Sequence, residues 1–330
     1  MSRLPFKIGE LLIDPPVLSA PMAGFTNYAY RRLLRELGGA GLIATEMVSA
    51  RSFSILDSRG MDHPARLWGV ESEPRPLAVQ IWDNIPETLA ETAHRLAHDY
   101  KVSLIDLNFG CPAPKIVSKS SSGSYLLKDP EKVGNLVAKV REAAAPVPVT
   151  AKIRLGLTAD TINAIDVAQA VEGGGGAALT VHGRTTRQMY SGLADWDEIG
   201  RIKPFLQRIP LIGNGDIKTV EQALDRLDHW PVDGIMIGRG GFDHPWLFRQ
   251  IQQALNGSPI YPDPTVEEQK ELLLRLYHLV CERFGQEKTV VMMRRYACHF
   301  SKSKPGGRSF RARIGLVQTE EEFFSILKEF

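Results

Sequence analysis

The chain has 330 residues, 43% of them hydrophobic and 24% charged, with a formal net charge of +2. This balance is ordinary for a globular chain with a sizeable core, so any basic surface must be local rather than global. Its three cysteines, Cys111, Cys281 and Cys298, show no Cys-x-x-Cys spacing. That argues against a disulfide framework or a zinc site. The opening residues lack a signal-peptide core, and no apolar run reaches membrane-spanning length. A cytoplasmic, soluble monomer with no membrane partner is expected.

Phe6–Ile13 reads as a hairpin-like lead-in. Pro16–Ala20 is a first strand, ending at Pro21-Met22-Ala23-Gly24, and a helix over Asn27–Leu37 is stopped by Gly38-Gly39. Leu42–Glu46 is a second strand, and Ser49–Pro76 reads as an irregular, functional loop region. Leu77–Gln80 is a third strand, with Gln80 at its end, and Glu87–Tyr100 is helical. The fourth strand, in Ser103-Leu104-Ile105-Asp106-Leu107-Asn108-Phe109, stops at Gly110-Cys111-Pro112, a turn set by glycine and proline. Ser118–Ser124 reads as a loop, followed by a helix over Val133–Ala144 capped by Asp129, with Pro130 first. Val149–Arg154 is strand five, Thr161–Glu172 a helix and Ala178–His182 strand six. Trp196–Phe205 is helical, Pro210–Gly213 is strand seven, Val220–Leu227 a helix and Gly234–Ile237 strand eight.

Alternating strands and helices imply a parallel sheet, and eight such units match a (β/α)8 TIM barrel. A doubly wound sheet would want a glycine fingerprint after its first strand, which Pro21–Gly24 is not. A linker from Asn256 to Pro264 leads to Thr265, which can cap a helix. Leu272, Leu276, Leu279 and Val280 continue at helical spacing. The expected division is a barrel over 1–256, followed by a small all-helical C-terminal domain over 265–330.

Functional side chains of barrels gather at the C-terminal ends of the strands. Here these are Met22, Glu46, Gln80, Asn108 with Cys111, Lys152 with Arg154, His182 with Arg184, Asn214-Gly215-Asp216 and Gly238-Arg239. Each has a plain alternative. Cys111 can be a small buried apolar residue, Lys152 a snorkelling lysine, His182 a satisfied structural histidine. Together they favour a site. The glycine-rich turns after strands seven and eight lie where barrels bind phosphate, and Arg239 can add charge-assisted bonds. One phosphate on that side, with Lys152 and Gln80 opposite, suits a mononucleotide-sized cofactor such as FMN.

These residues bear a resemblance to a known family. Ala20-Pro21-Met22-Ala23-Gly24-Phe25-Thr26, Leu107-Asn108-Phe109-Gly110-Cys111-Pro112, Lys152-Ile153-Arg154, Val181-His182-Gly183-Arg184-Thr185, Asn214-Gly215-Asp216-Ile217 and Ile237-Gly238-Arg239-Gly240 resemble the tRNA-dihydrouridine synthases. The resemblance spans nearly the whole chain. It implies that Pro21, Met22, Ala23, Gln80, Lys152, His182, Asn214, Gly215, Asp216, Gly238 and Arg239 hold FMN. It implies further that NADPH reduces the flavin, that reduced FMN gives hydride to C6 of a tRNA uridine, and that Cys111 protonates C5. Asn108, Arg154 and Arg184 would face the uridine. Ser118–Tyr125 departs from the glycine- and alanine-rich loop usual in the family.

An acid cysteine must be protonated at neutral pH, as a thiol with a pKa of ~8.5 is. Cys111 is therefore expected away from strong activating cations. From Lys288 to Arg313 there are eight Lys or Arg and no Asp or Glu, with Tyr296, His299, Phe300 and Phe310 interleaved. Such a stretch suits RNA phosphates and bases, with Arg294, Arg295, Arg308 and Arg311 as tRNA contacts, or it is a solvated helix face. Two other readings stand beside this one. A small-molecule flavin oxidoreductase leaves the basic tail idle, and an RNA-binding protein without catalysis leaves Asn108, Cys111, Lys152 and His182 unexplained.

Overall fold

The computed structural model describes residues 4–59, 67, 69–302 and 304–330. An antiparallel hairpin, β1 (Phe6–Ile8) and β2 (Leu11–Ile13), comes first. Then β3 (Val17–Ser19) leads to α1 (Tyr28–Leu37), whose first turn is capped by the Asn27 side chain accepting from Tyr30 N. Two short strands, β4 (Ile43–Ala44) and β5 (Val48–Ser49), precede α2 (Ala50–Ser58). Strand β6 (Leu77–Trp82) is followed by α3 (Pro86–His98), and β7 (Leu104–Phe109) by α4 (Pro114–Ser120) and α5 (Pro130–Ala144). The pattern continues with β8 (Val149–Arg154) and α6 (Ala164–Gly173), then β9 (Leu179–His182) and α7 (Trp196–Gly200). It ends with β10 (Leu211–Asn214), α8 (Val220–His229), β11 (Gly234–Ile237), α9 (Arg239–Asp243) and α10 (Leu247–Leu255).

The strand order β3-β11-β10-β9-β8-β7-β6-β4 is parallel throughout, with β5 paired to the far end of β6. It closes into a barrel because Leu18 bridges Leu42 and Ser19 N donates to Leu42 O at 2.9 Å. Four further helices follow, α11 (Val266–Phe284), α12 (Gln286–Phe300), α13 (Gly307–Ile314) and α14 (Glu320–Glu329). Thr265 and Glu268 form the capping box that starts α11. Among the described residues no helix is long and apolar enough to cross a membrane.

Three stretches differ from the expectations above. Ser49–Pro76 is not irregular throughout: Ser49 accepts from Ser52 N and starts α2, although the residues at 60–66 and 68 lie outside the described ones. The serine-rich stretch is not a plain loop. Its first half finishes α4, Ser121 takes the left-handed conformation at φ 46°, and Gly123–Lys128 forms a 3-10 helix. Serine has no strong opposition to a helix when it lies outside the interior, and Pro114 at the first turn nucleates one. Gln80 is not the end of its strand, since β6 runs on to Trp82 through pairing with Val48–Ser49.

The barrel interior explains where the site sits. Ile8 and Ile13 of the hairpin join Leu18, Leu42, Ala44, Ala78, Leu104, Ile212 and Met236 in one dry cluster, so the hairpin plugs the N-terminal end. Side chains two apart on a strand face the same way. Moving up the inward face therefore replaces Ala78 by Gln80, and Leu104 by Asp106 and Asn108. Outside the sheet a second core runs without interruption from the barrel helices into α11–α14. The helical unit is thus docked on the barrel, with Arg275 Nε donating to Glu36 Oε2 at 2.9 Å and Tyr296 Oη donating to Phe25 O at 3.3 Å.

Candidate active site

One cavity of about 530 Å3 opens at the C-terminal end of the barrel. It is lined by Pro21, Met22, Ala23, Gln80, Asn108, Cys111, Lys152, Arg154, His182, Arg184, Asn214, Gly215, Asp216, Gly238 and Arg239. Every barrel residue singled out from the sequence as a cofactor, base or acid contact therefore meets in one place. Arg294, Arg295, Arg308 and Arg311 do not line it. Arg295 lies exposed beside a smaller pocket of about 300 Å3 with Gly24, Asn27, Glu46, Phe284, Met292 and Tyr296, and its guanidinium bonds Gly24 O. Arg294 donates to Gln318 and Arg311 to Ser301 O, while Arg308 is exposed on α13.

The register of the strands builds the floor. Asn108 and Lys152 are Cα partners across β7 and β8, and Arg154 and His182 across β8 and β9. Lys152 Nζ donates to Asn214 Oδ1 at 2.9 Å, and Asn214 Nδ2 in turn donates to Met236 O at 2.7 Å. Burial, helped by the nearby Arg154 charge, lowers the Lys152 ammonium to about 8. Burial also lowers the Arg154 guanidinium to about 10. That guanidinium is held by three carbonyls, of Gly110 at 2.9 Å and of Thr185 and Met189 at 2.8 Å each. His182 is pushed far below its ordinary value by burial and by the surrounding cations, so the ring is neutral. Its Nε2 lies 3.2 Å from Arg184 Nη1, which can only donate, so the ring's own proton sits on Nδ1.

On the side of the glycine turns after β10 and β11, Asp216 accepts from Arg184 Nη2 at 2.7 and 2.9 Å and from Ala194 N at 2.7 Å. Arg239 Nη2 stands 3.8 Å from the same carboxylate and is half-exposed towards the mouth. Burial opposes the Asp216 charge, but Ala194 N–H and Arg184 outweigh it and hold the carboxyl below its usual range.

Cys111 is half-buried in its turn, whose geometry is set by Asn108: Oδ1 accepts from Gly110 N at 3.1 Å and Cys111 N at 2.9 Å. Burial pushes the thiol above its ordinary value, outweighing the Ala113 N–H and the charges of Arg154 and Lys152. The expectation of a thiol away from cations is thus not met, since both charges act on it. The group is protonated at neutral pH, which an acid requires and a nucleophile does not.

The dihydrouridine synthase (Dus) family model matches residues 18–329. The chain belongs to the dihydrouridine synthase family. Among relatives, it is 36% identical to a probable tRNA-dihydrouridine synthase of Rickettsia bellii, over 94% of this chain and 93% of that one. It is also 36% identical to tRNA-dihydrouridine synthase B of Xanthomonas campestris, over 98% and 95%. In fold it is similar to morphinone reductase in complex with tetrahydroNAD, with a TM-score of 0.51, 14% identity and coverage of 79% and 92%. It is likewise similar to the old yellow enzyme homologue from Zymomonas mobilis, with a TM-score of 0.54, 13% identity and coverage of 79% and 94%.

The cavity of this dihydrouridine synthase family member holds further residues that the strand-end pattern does not reveal. Tyr190 stands at the mouth, 54% exposed, with the guanidinium carbons of Arg239 and Arg154 at 4.7 and 5.6 Å from its ring. It lies in the long connection between β9 and α7, where length alone is the cue to function. Met47 lines the wall just before β5. His299 reaches the cavity from α12, packed on Phe25 and Phe242 and paired with Asp243. In the sequence it is one aromatic ring among several in a basic stretch.

Proposed function

We propose that this chain reduces particular uridines of tRNA to 5,6-dihydrouridine, with FMN as resident cofactor and NADPH as reductant. The observation that carries the reading is one cavity in which a protonated cysteine, three amides and a cluster of cations converge. The cavity fits FMN. Its volume is that of a cofactor site. Gly238 lines the cavity on the Arg239 side with no side chain of its own, while Lys152 supplies the positive charge that an electron-rich flavin ring favours.

FMN held there would supply hydride chemistry towards C6 of the uridine. Lys152, held by Asn214, would offset negative charge on the ring system. Cys111 Sγ delivers the proton to C5, on a turn whose position Asn108 sets, and recovers it from solvent afterwards. Arg154 and Arg184 keep the wall rigid and positive towards a nucleotide, and Tyr190 offers a flat face at the entrance. The basic helices α12 and α13 take the RNA backbone.

Heat-released cofactor from the purified protein should chromatograph as FMN, and FAD or no flavin would end this reading of the cavity. Arg239→Ala should weaken FMN by roughly tenfold or more, because the guanidinium no longer bonds the phosphate. On the RNA side, Arg308→Ala should lower the salt dependence of tRNA binding by roughly one counterion, the number released where one arginine meets one phosphate. Reduction of the flavin by NADPH should not change. An Arg308→Ala protein with unaltered salt dependence would remove α13 from the RNA face.

A further inference from the structure

Beside Gln80 and beneath Asn108 lies a polar side chain that none of the chemistry above uses. Asp106 is 4% exposed on the inward face of β7. Its Cα partners are Gln80 on β6 and Thr150 on β8, so the three side chains form one layer of the barrel. Both carboxylate oxygens are engaged: Oδ2 accepts from Gln80 Nε2 and Oδ1 from Thr150 Oγ1, each at 2.7 Å. The bonds continue upward. Gln80 Oε1 accepts from Asn108 Nδ2 at 2.8 Å, and Asn108 Oδ1 accepts from the N–H groups of Gly110 and Cys111.

A carboxamide is nearly symmetric in shape but not in chemistry, so its neighbours decide which end faces which way. Burial raises the Asp106 carboxyl, while the bonds from Thr150 and Gln80 and the Lys152 charge favour its ionised form; with both oxygens accepting, as here, the carboxylate offers only acceptors. Asp106 therefore draws the NH2 end of Gln80 down, which turns the Gln80 carbonyl to Asn108. Asn108 must then point its own NH2 at Gln80, leaving its carbonyl for the Cys111 turn. Reversing any one amide sets donor against donor or acceptor against acceptor in a buried layer, at the cost of unpaired groups.

We propose that Asp106 is a positioning residue that sets the donor–acceptor polarity of this relay, so that Asn108 holds the Cys111 turn and Gln80 meets the bound flavin as an N–H donor. The inference rests on the proposed FMN and uridine site, but its first readout does not need the cofactor.

The test exchanges the polarity of one pair. Gln80→Glu places a second carboxyl against Asp106; a proton shared by the pair imitates the amide at neutral pH, and the two conflict at alkaline pH once it is lost. Adding Asp106→Asn removes the conflict: the new NH2 donates to the glutamate, the new carbonyl still accepts from Thr150, and Asn108 keeps its acceptor. In flavin-free protein at alkaline pH, Cys111 alkylation followed by peptide mass should be roughly tenfold faster in Gln80→Glu than in the wild type at the same pH, as a buried unpaired group loosens the turn. The double variant should return to within about twofold of the wild-type rate, since the relay is paired again. FMN affinity, read by flavin fluorescence, should stay weakened in both, because a carboxylate has replaced the donor. A side chain that only fills space would not give that split.

At that alkaline pH, a double variant that alkylates as fast as Gln80→Glu overturns the proposal, as does a Gln80→Glu rate equal to that of the wild type. If Gln80→Glu does not fold, a folded double variant with the wild-type alkylation rate supports the relay, and a double variant that also fails overturns it. Failure of the FMN reading shows separately, as wild-type protein that binds no FMN while the alkylation arm still reports on the relay.

Discussion

Cys111→Ala should bind FMN and accept electrons from NADPH at near the normal rate, yet its reoxidation by tRNA should slow by roughly 10²–10⁴-fold, the range for a lost positioned acid. The two half-reactions separate because the thiol matters only once the base is in place. Its protonation at neutral pH follows from burial, which outweighs the pull of Lys152 and Arg154. Cys111→Ser should recover little, a hydroxyl being a far weaker acid than a thiol. A packing role predicts a different pattern: some loss of stability and tRNA-dependent reoxidation close to normal. A nucleophilic role predicts a covalent adduct with the base as a requirement for wild-type turnover. Stopped-flow absorbance of the flavin in each half-reaction distinguishes the three, and an unchanged tRNA-dependent rate would sink the acid assignment.

The largest effect on stability is expected at Glu73. Its carboxylate pairs with Arg31, Nε lying 3.0 Å from each oxygen, and both side chains are wholly buried. Removing one partner of such a pair strands the other charge, so Glu73→Gln should cost about 3–5 kcal/mol. The damage should reach the site. Arg31 Nη1 also donates to Thr26 O at 2.8 Å, and Thr26 Oγ1 accepts from Met22 N at 3.0 Å in the loop that lines the cavity. Urea unfolding of flavin-free protein measures the first effect and FMN affinity the second. Glu329→Gln, which opens the exposed pair with Arg313, serves as the control and should leave the urea midpoint where it was. Equal midpoints for Glu73→Gln and the control would show that the buried pair contributes nothing net.

Much of this molecule can be read from local pattern. Apolar runs of four to six residues between glycine and proline stops mark the strands, and caps such as Asn27, Asp129 and Thr265 mark helix starts. The helix Ala50–Ser58 escaped that reading because its sequence, Ala-Arg-Ser-Phe-Ser-Ile-Leu-Asp-Ser, mixes three serines with a weak apolar stripe. Its large buried side chain, Phe53, meets Tyr100 and the core behind it, which lie far from it in the chain. The serine-rich stretch misled in the opposite way, since polar composition suggested a loop where Pro114 starts a helix.

What the sequence by itself determined was the order of strands and helices and the residue types at the strand ends, because both follow from short-range periodicity and from the turn chemistry of glycine and proline. It also carried the family, through motifs contiguous in the chain. Only the tertiary structure decided which of those residues touch. Closure of β3 on β4 brings the eight strand ends to one mouth, and the register of β6, β7 and β8 stacks Gln80, Asp106 and Thr150 in one layer beneath Asn108. Docking of α12 on the barrel carries His299 into the cavity, and folding of the β9–α7 connection sets Tyr190 between two arginines. Those residues lie far apart in the chain, and their meeting depends on how twisted strands close and how cores merge, for which no local stretch of residues holds the information.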